Sequence, residues 1–218
     1  MSRYYFGGEL FSLKHLLGNA ALAQAIRRVS DGKYEAVLPQ DMEVTKKRGK
    51  AIRDVDILTL ISSDLALFHF DGAELDSGTV AEFMLAKFAD IPTVLLRTDF
   101  RKAGDSPHDP WNLMLSDYPR TEKVILNGMD IYTAARNTAT GSGNEVTQKA
   151  TAQFVLDGVA SRVVESFNKV LSSPPRLPTH LREPVLEWLS LMPNFIMDSR
   201  EALALMQRNR DVDKGTVN

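Results

Sequence analysis

Two carboxylates that stand six residues apart are the clearest candidates for chemistry in this sequence. Asp76 and Glu82 belong to the segment DGAELDSGTVAE, which spans residues 71–82. Two nearby carboxyl groups can divide the roles of nucleophile and acid when their surroundings push their pKa values apart. Amides at a helix N-terminus would keep Glu82 ionised and able to attack, whereas desolvation beside another carboxylate would let Asp76 hold and donate a proton.

The same segment has a second interpretation that involves no chemistry. Thr79-x-x-Glu82 has the spacing of a capping box, in which the Glu82 side chain only reaches back to the Thr79 amide. Asp56, in the preceding helical pattern, would then be a surface residue of an amphipathic helix. For this segment alone capping is the simpler interpretation, so the choice depends on where the surrounding elements place these side chains.

Strands and helices alternate along the first half of the chain. Short apolar or aromatic runs predict strands at residues 3–7, 34–38, 65–70, 93–96 and 122–126. Between them, helical periodicity predicts a helix capped by Ser12, a second running to about Ser63 and a third over residues 79–88. This alternation is typical of a doubly wound α/β fold, with a mostly parallel five-stranded sheet flanked by helices, of the flavodoxin or Rossmann type.

Folds of this kind bind ligands at the carboxyl ends of their strands. Three segments follow predicted strand ends: Gly7 to Phe11, Asp71 to Glu82, and Asp99 to Met114. We therefore expect Asp76 and Glu82 to face one crevice at this edge of the sheet.

The second part of the chain is predicted to be helical. A stretch rich in Thr, Gly, Ser and Asn over residues 137–144 indicates a flexible loop. Helical patterns follow over residues 146–171, 184–191 and 199–208. We divide the chain into an α/β domain over residues 1–136 and a helical C-terminal extension over residues 137–218, packed on or beside the core.

Composition excludes several classes of protein. With 26 Lys and Arg against 28 Asp and Glu, the net charge of −2 gives no reason to expect a nucleic-acid partner. There is no Cys and no apolar run near the length of a membrane span, and the first residues do not resemble a secretory signal. The four His residues have no metal-ligand spacing. We expect a soluble cytoplasmic protein that needs no metal or other cofactor and contacts neither membranes nor nucleic acid.

Several separated segments together resemble one enzyme family. Residues 71–86 read D-G-x-x-x-D-S-G-T-x-x-E-x-x-x-A, residues 5–8 read YFGG, and residues 112–114 read NLM. Asp56 stands eight residues before Asp64, which precedes the third strand. In this order, over about residues 3–130, these segments resemble the nucleoside 2-deoxyribosyltransferase family.

The resemblance implies a role for each matched residue. Glu82 corresponds to the nucleophile, and Tyr5 to the tyrosine that hydrogen-bonds it. Asp76 and Asp56 correspond to carboxylates that face the base, with Asp76 the better candidate for proton delivery. Gly7 corresponds to the end of the family's first strand and turn, and we expect it to contact the substrate.

Asn112 and Met114 correspond to residues that hold the 5′-hydroxyl end of the sugar, and in the family they come from a neighbouring subunit. The resemblance therefore implies a homo-oligomer whose site is completed by that subunit. One departure is Phe83-Met84, where most members have Leu-Gly.

The activity implied is exchange of the nucleobase of a 2′-deoxynucleoside through a covalent deoxyribosyl-glutamate intermediate, with deoxynucleosides and free bases as the partners. Two alternatives stay open. One is a hydrolase of 2′-deoxynucleoside 5′-monophosphates, which would need phosphate donors near the sugar. The other is a nucleotide-sensing module that keeps the crevice but catalyses nothing.

Overall fold

The computed structural model describes residues 1–42, 49–101, 104–105, 108–141 and 148–208. The five strands are β1 (Ser2–Gly7), β2 (Tyr34–Val37), β3 (Leu65–His69), β4 (Thr93–Arg97) and β5 (Thr121–Ile125). The helices in these ranges are α1 (Leu13–Val29), α2 (Gly49–Ile61), α3 (Ser77–Phe88), α4 (Gly128–Gly141), α5 (Gln148–Ser172), α6 (Thr179–Leu191) and α7 (Ser199–Arg208). Short 3-10 turns occupy Pro39–Asp41 and Leu113–Leu115.

All five strands are parallel, in the order β2-β1-β3-β4-β5. The doubly wound α/β fold predicted from the sequence is therefore confirmed. In this order the direction of winding reverses between β1 and β3, which is the point at which folds of this class bind their ligands. Tyr5, near the end of β1, lies beside β3 at this switch point.

Alternate side chains of the strands build two hydrophobic cores, one on each face of the sheet. Tyr4 and Phe6 face the core formed with α1 and α5. Tyr5 and Phe68 face the opposite core, which includes residues of α2, α3, α6 and α7. This alternation follows from the two-residue period of a strand, and it places Tyr5 on the same side of the sheet as α2 and α3.

The C-terminal helices are part of both layers. Helix α5 packs on α1, β4 and β5, and helix α7 packs on α2. Buried Asp54 of α2 accepts a 2.7 Å hydrogen bond from the backbone N–H of Ile196, between α6 and α7. The proposed division between residues 136 and 137 falls within α4.

Two predictions about the C-terminal part are wrong. The predicted loop at residues 137–144 is helical as far as Gly141, because Ile131 and Ala135 pack on the α5 side and the helix continues past them. Helix α6 begins at Thr179, well before Pro184, which lies inside it. Leu186 and Leu189 are buried in the core and offset the hydrogen bond that proline cannot donate. Residues 142–147, the basic residues 46–48 and the last ten residues lie outside the described part of the chain.

No helix in the described ranges has both the length and the apolar character that crossing a bilayer would require.

Candidate active site

A hydrogen bond joins β1 to α3 at the centre of the site. The hydroxyl of Tyr5 donates to Oε1 of Glu82 over 2.7 Å. Tyr5 is fully buried, and Glu82 is partly buried. The bond that the family resemblance implies is therefore present, and it aims the Glu82 carboxylate towards the carboxyl end of β1.

The start of α3 differs from the capping box considered for Thr79 and Glu82. Helix α3 begins at Ser77, and Asp76 is its N-cap: Oδ2 of Asp76 accepts hydrogen bonds from the Thr79 backbone N–H (2.7 Å) and hydroxyl (2.8 Å). Because the helix starts two residues earlier than predicted, Glu82 is its sixth residue and lies in the second turn, so the prediction of a first-turn position is wrong. Asp76 satisfies the helix end, and Glu82 makes its hydrogen bond to Tyr5 instead.

The surroundings of Glu82 favour its protonated form more than the sequence suggested. Burial raises the pKa of Glu82 to about 7; the hydrogen bond from Tyr5 acts in the opposite direction, and the charges of Asp56 and Asp76 raise the pKa further. The predicted effect of the helix amides is not decisive, because that effect falls off within the first turn. Glu82 is therefore a carboxyl group that changes protonation near neutral pH.

Asp56 approaches the same cluster from α2. Burial raises the pKa of Asp56 to about 6. Burial also raises the pKa of Tyr5 well above its usual value, and the charges of Glu82 and Asp56 raise it further. Tyr5 therefore stays protonated and acts as the hydrogen-bond donor, and the three side chains form one electrostatically connected group.

Gly7 allows Glu82 to lie close to the strand. A Cβ atom at residue 7 would come within 2.6 Å of Cδ1 of Phe68 and 2.9 Å of Oε2 of Glu82. Since real Cβ atoms do not approach other atoms so closely, any side chain at this position would displace the ring or the carboxylate. Gly7 thus contributes to the site by the absence of a side chain.

Asn112 and Met114 lie on the surface, in a short turn after β4. Oδ1 of Asn112 accepts a 2.9 Å hydrogen bond from the Met114 backbone N–H, and 72% of Met114 is exposed. No described contact joins either residue to Tyr5 or Glu82. Their neighbour Trp111 is buried against Phe70 and belongs to the core of this chain.

A network at the ends of β3 and β4 was missed in the sequence. The carboxylate of Asp71 accepts hydrogen bonds from the backbone N–H groups of Thr98 and Asp99 and from the Thr98 hydroxyl, and Oδ2 also lies 3.0 Å from Nε2 of His69. Arg97 falls just outside the strand predicted at residues 93–96, but it ends β4 and its side chain is 1% exposed. The available signal was an arginine that ends an otherwise apolar strand, TVLLR.

A separate cavity of about 400 Å³ lies at the carboxyl ends of β4 and β5. Its described lining includes Arg101, His108, Pro110 and Asn127 and does not include Tyr5 or Glu82. The carboxylate cluster, and not this cavity, contains the groups whose pKa values and hydrogen bonds suit chemistry. Within the described ranges no three His, Asp or Glu side chains are grouped so that they could hold a metal ion.

Three solved structures resemble part of this chain. A conserved protein from Enterococcus faecalis V583 is 27% identical, with 60% of this chain and 94% of that chain covered and a TM-score of 0.49. A 2-deoxyribosyltransferase from Bacillus psychrosaccharolyticus is 15% identical, with coverage of 54% and 82% and a TM-score of 0.43. A 2-desoxiribosyltransferase from Leishmania mexicana is 19% identical, with coverage of 62% and 95% and a TM-score of 0.45. No curated protein matches the chain.

A protein-family model supplies the assignment. The model described as Nucleoside 2-deoxyribosyltransferase matches residues 4–114, half of the chain. The matched part includes Tyr5 on β1, Asp56, Asp76, Glu82 and Met114, so it contains the whole carboxylate cluster. The chain therefore belongs to the nucleoside 2-deoxyribosyltransferase family, a family of deoxyribosyl-transferring enzymes.

Proposed function

We propose that the protein exchanges the nucleobase of 2′-deoxynucleosides, with Glu82 as the nucleophile that carries the deoxyribosyl group between two bases. The observation that carries this proposal is the 2.7 Å hydrogen bond from the Tyr5 hydroxyl to Oε1 of Glu82. A helix cap has no use for a buried tyrosine that orients a glutamate from another element, whereas an attacking carboxylate needs such an orienting group.

In the first half of the reaction, a carboxylate oxygen of Glu82 forms a bond to C1′ while the N-glycosidic bond breaks. The bonding electrons leave with the base, which takes up a proton from an acid above it. Positive charge builds on the sugar ring in the transition state, and the anionic Glu82 below C1′ stabilises that charge. The products are free base and a deoxyribosyl ester of Glu82.

In the second half, a nitrogen of the incoming base attacks C1′ and the ester bond breaks, so that Glu82 returns as a carboxylate. The proton lost by the incoming base returns to the acid. Two displacements at C1′ give overall retention of configuration. A 2′-hydroxyl group beside C1′ would crowd the nucleophile, so we expect deoxynucleosides to be preferred.

Asp56 suits the acid role better than Asp76, which the sequence favoured. Oδ2 of Asp76 is already engaged by the backbone N–H and hydroxyl of Thr79 at the start of α3. Asp56 makes no such cap, and burial raises its pKa to about 6, so a substantial fraction of it is protonated in mildly acidic solution. We assign proton delivery to Asp56 and the placing of the base to Asp76.

Tyr5 increases the fraction of Glu82 that is ionised and able to attack. Its hydrogen bond lowers the pKa of Glu82 against the effect of burial and so increases the carboxylate fraction. As the ester forms, the negative charge on Glu82 disappears and the bond to Tyr5 weakens.

A second copy of the chain is expected to complete the site. Asn112 and Met114 are exposed and face away from the core of their own chain. An amide and a thioether suit an uncharged 5′-hydroxyl better than a phosphate, which supports the transferase over the 5′-monophosphate hydrolase. We propose a homo-oligomer in which these residues contact the sugar bound by a neighbouring subunit.

The test is to mix the protein with a deoxynucleoside and a different free base and to follow the products by chromatography. A new deoxynucleoside is expected. Release of free sugar alone would support hydrolysis, and no reaction would support the sensing module; either result would overturn the proposal.

The covalent step has its own test. The variant Glu82→Gln keeps the size of the side chain but cannot form the ester, so exchange should fall by roughly 10³-fold or more. Glu165→Gln, an exposed glutamate on α5, serves as the matched control and should retain full activity. Mass spectrometry of the quenched wild-type reaction should locate the sugar adduct on Glu82, and an adduct on another residue would contradict the assignment.

A further inference from the structure

Arg97 is a buried arginine that binds the backbone of the loop between β3 and α3. Its guanidinium donates to the carbonyl oxygens of Phe70 (2.6 Å) and Gly72 (3.1 Å). It also donates to the carbonyl oxygen of Arg101 over 3.4 Å. The side chain is 1% exposed and lies at the end of β4, where the loop that leads to Asp76 passes over it.

Burying the Arg97 side chain costs more free energy than a purely structural role would require. A buried charge normally needs a paired carboxylate, but the nearest carboxylate oxygen, on Asp99, is 4.0 Å from Arg97. Asp99 itself is engaged by Arg101. Nε of Arg97 is buried and has no hydrogen-bond partner in the described structure. An apolar side chain of similar volume would avoid these costs.

The bonds of Arg97 belong to a set that fixes the first three residues after β3. The backbone N–H of Gly72 donates to Oδ2 of Asp99 over 3.2 Å, and the Asp71 carboxylate accepts from the backbone of Thr98 and Asp99. The carbonyl oxygens, the Gly72 N–H and the Asp71 side chain of this loop are thus all hydrogen-bonded to residues 97–99, at and after the end of β4. Gly72 has a φ of +112°, so the backbone is also held in a conformation that other residues rarely adopt.

We infer that Arg97 is a positioning residue for the reaction. It holds the β3–α3 loop, and the loop places Asp76 and the start of α3 at the correct distance from the substrate. Helix α3 in turn places the nucleophile Glu82. This inference rests on the proposed function of Glu82. Arg97 touches none of the reacting atoms, and it acts through the carbonyl groups that it binds.

Arg120 provides a matched control at the opposite edge of the sheet. It is 11% exposed, and it donates to the Asp90 backbone carbonyl over 2.6 Å. Its Nε is also buried without a partner. Arg120 therefore resembles Arg97 in burial and in binding a backbone carbonyl group, although its guanidinium also pairs with the Asp90 carboxylate at 3.1 Å. It binds the turn between α3 and β4, far along the sheet from Glu82.

The experiment compares Arg97→Met with Arg120→Met. Both variants should lose thermal stability. Arg97→Met should also lower kcat for base exchange by about 100-fold, the effect of a misplacement of about 1 Å at a reacting group, with a much smaller change in KM for the deoxynucleoside. Arg120→Met should keep kcat within about 2-fold of the wild type. Equal changes of kcat in the two variants would show that Arg97 has a structural role only.

A second variant moves the same loop without touching Arg97. In Gly72→Ala, the new Cβ would lie 2.8 Å from the Glu74 carbonyl oxygen at a positive φ, so the loop must shift. We expect a loss of kcat similar in size to that of Arg97→Met. Full kcat in Gly72→Ala would overturn the inference, because the loop position would then not matter.

Hydrogen exchange separates this inference from the proposed function. In Arg97→Met, amides of residues 70–76 should exchange about 10-fold faster, while Arg120→Met leaves them unchanged. If the wild type exchanges no base between deoxynucleosides, the proposed function fails. If the amides of residues 70–76 exchange at the wild-type rate in Arg97→Met, Arg97 does not hold the loop, whatever the activity of the protein.

Discussion

The Tyr5 hydroxyl donates a hydrogen bond to the Glu82 carboxylate across 77 positions of sequence. One partner comes from the first strand and the other from the third helix, so only the folded sheet brings them together. The bond and the burial of Glu82 act on its pKa in opposite directions, and the net result is a value of about 7. The site therefore holds a carboxyl group that is balanced between its protonated and its attacking form.

Removing the Tyr5 hydroxyl should change the pH dependence of exchange. In Tyr5→Phe, the hydrogen bond that lowers the pKa of Glu82 is lost, so that pKa rises above about 7. The carboxylate fraction at neutral pH then falls, and the acid limb of the kcat profile moves to higher pH. We expect a loss of roughly 10-fold near neutral pH that shrinks as the pH is raised.

Tyr4→Phe is the control for this change, because Tyr4 is buried on the opposite face of the same strand. Its pH profile should match that of the wild type. A loss in Tyr5→Phe that stays the same at every pH would contradict the role of the hydroxyl in setting the pKa of Glu82.

Asp56→Asn should affect both limbs of the pH profile of kcat/KM. The pKa values of about 6 for Asp56 and about 7 for Glu82 predict a maximum between them in the wild type. Without the Asp56 charge, the pKa of Glu82 falls, and the acid limb that remains reports the ionisation of Glu82 alone. The alkaline limb, which reports loss of the Asp56 proton, should disappear, and the maximum rate should fall by about 10²-fold.

Asp130→Asn, at an exposed position on α4, is the control for this change and should leave the pH profile unchanged. An alkaline limb that persists in Asp56→Asn would assign proton delivery to another group.

Gly7→Ala should reduce both stability and activity. The new methyl group would overlap the Phe68 ring and press on the Glu82 carboxylate, and we expect a decrease of about 1–3 kcal/mol in the free energy of unfolding. Gly18→Ala is the opposite control, since a Cβ there meets no atom within 4 Å; inside α1 it should stabilise the protein by roughly 0.5–1 kcal/mol. Urea denaturation measures both, and a Gly7→Ala variant as stable and active as the wild type would contradict the close packing described here.

Mixing two variants with different defects tests the shared site. Asn112→Ala should raise KM with little change in stability, because the side chain is exposed. If one subunit supplies Glu82 and its neighbour supplies Asn112, mixed oligomers of Glu82→Gln and Asn112→Ala contain some intact sites. For dimers mixed in equal amounts, about one quarter of the sites should recover wild-type KM. Activity of the mixture equal to the average of the separate variants would show that each chain builds its site alone.

Local patterns in the sequence were sufficient to predict the sheet. Short apolar runs such as LALFHF and TVLL, separated by helical periodicity, correspond to β3 and β4 within one residue. Strand and helix periods are properties of neighbouring residues, so they can be read without the fold. The same is true of the Ser12 cap of α1, whose side chain accepts from the His15 backbone N–H. The extent of α4 and α6 was not predictable in this way, because packing on the core carried each helix through residues that disfavour it.

The sequence by itself contains the residue types that the proposed reaction needs: a tyrosine, a glutamate and two aspartates at particular spacings. It also determines the α/β order that gathers them at one edge of the sheet. Which carboxylate caps α3, which one changes protonation near neutral pH, and which arginine holds the loop between them were decided only by the tertiary structure. The physical reason is that burial, capping and charge coupling depend on the distance between side chains in space, and a sequence gives only the distance along the chain.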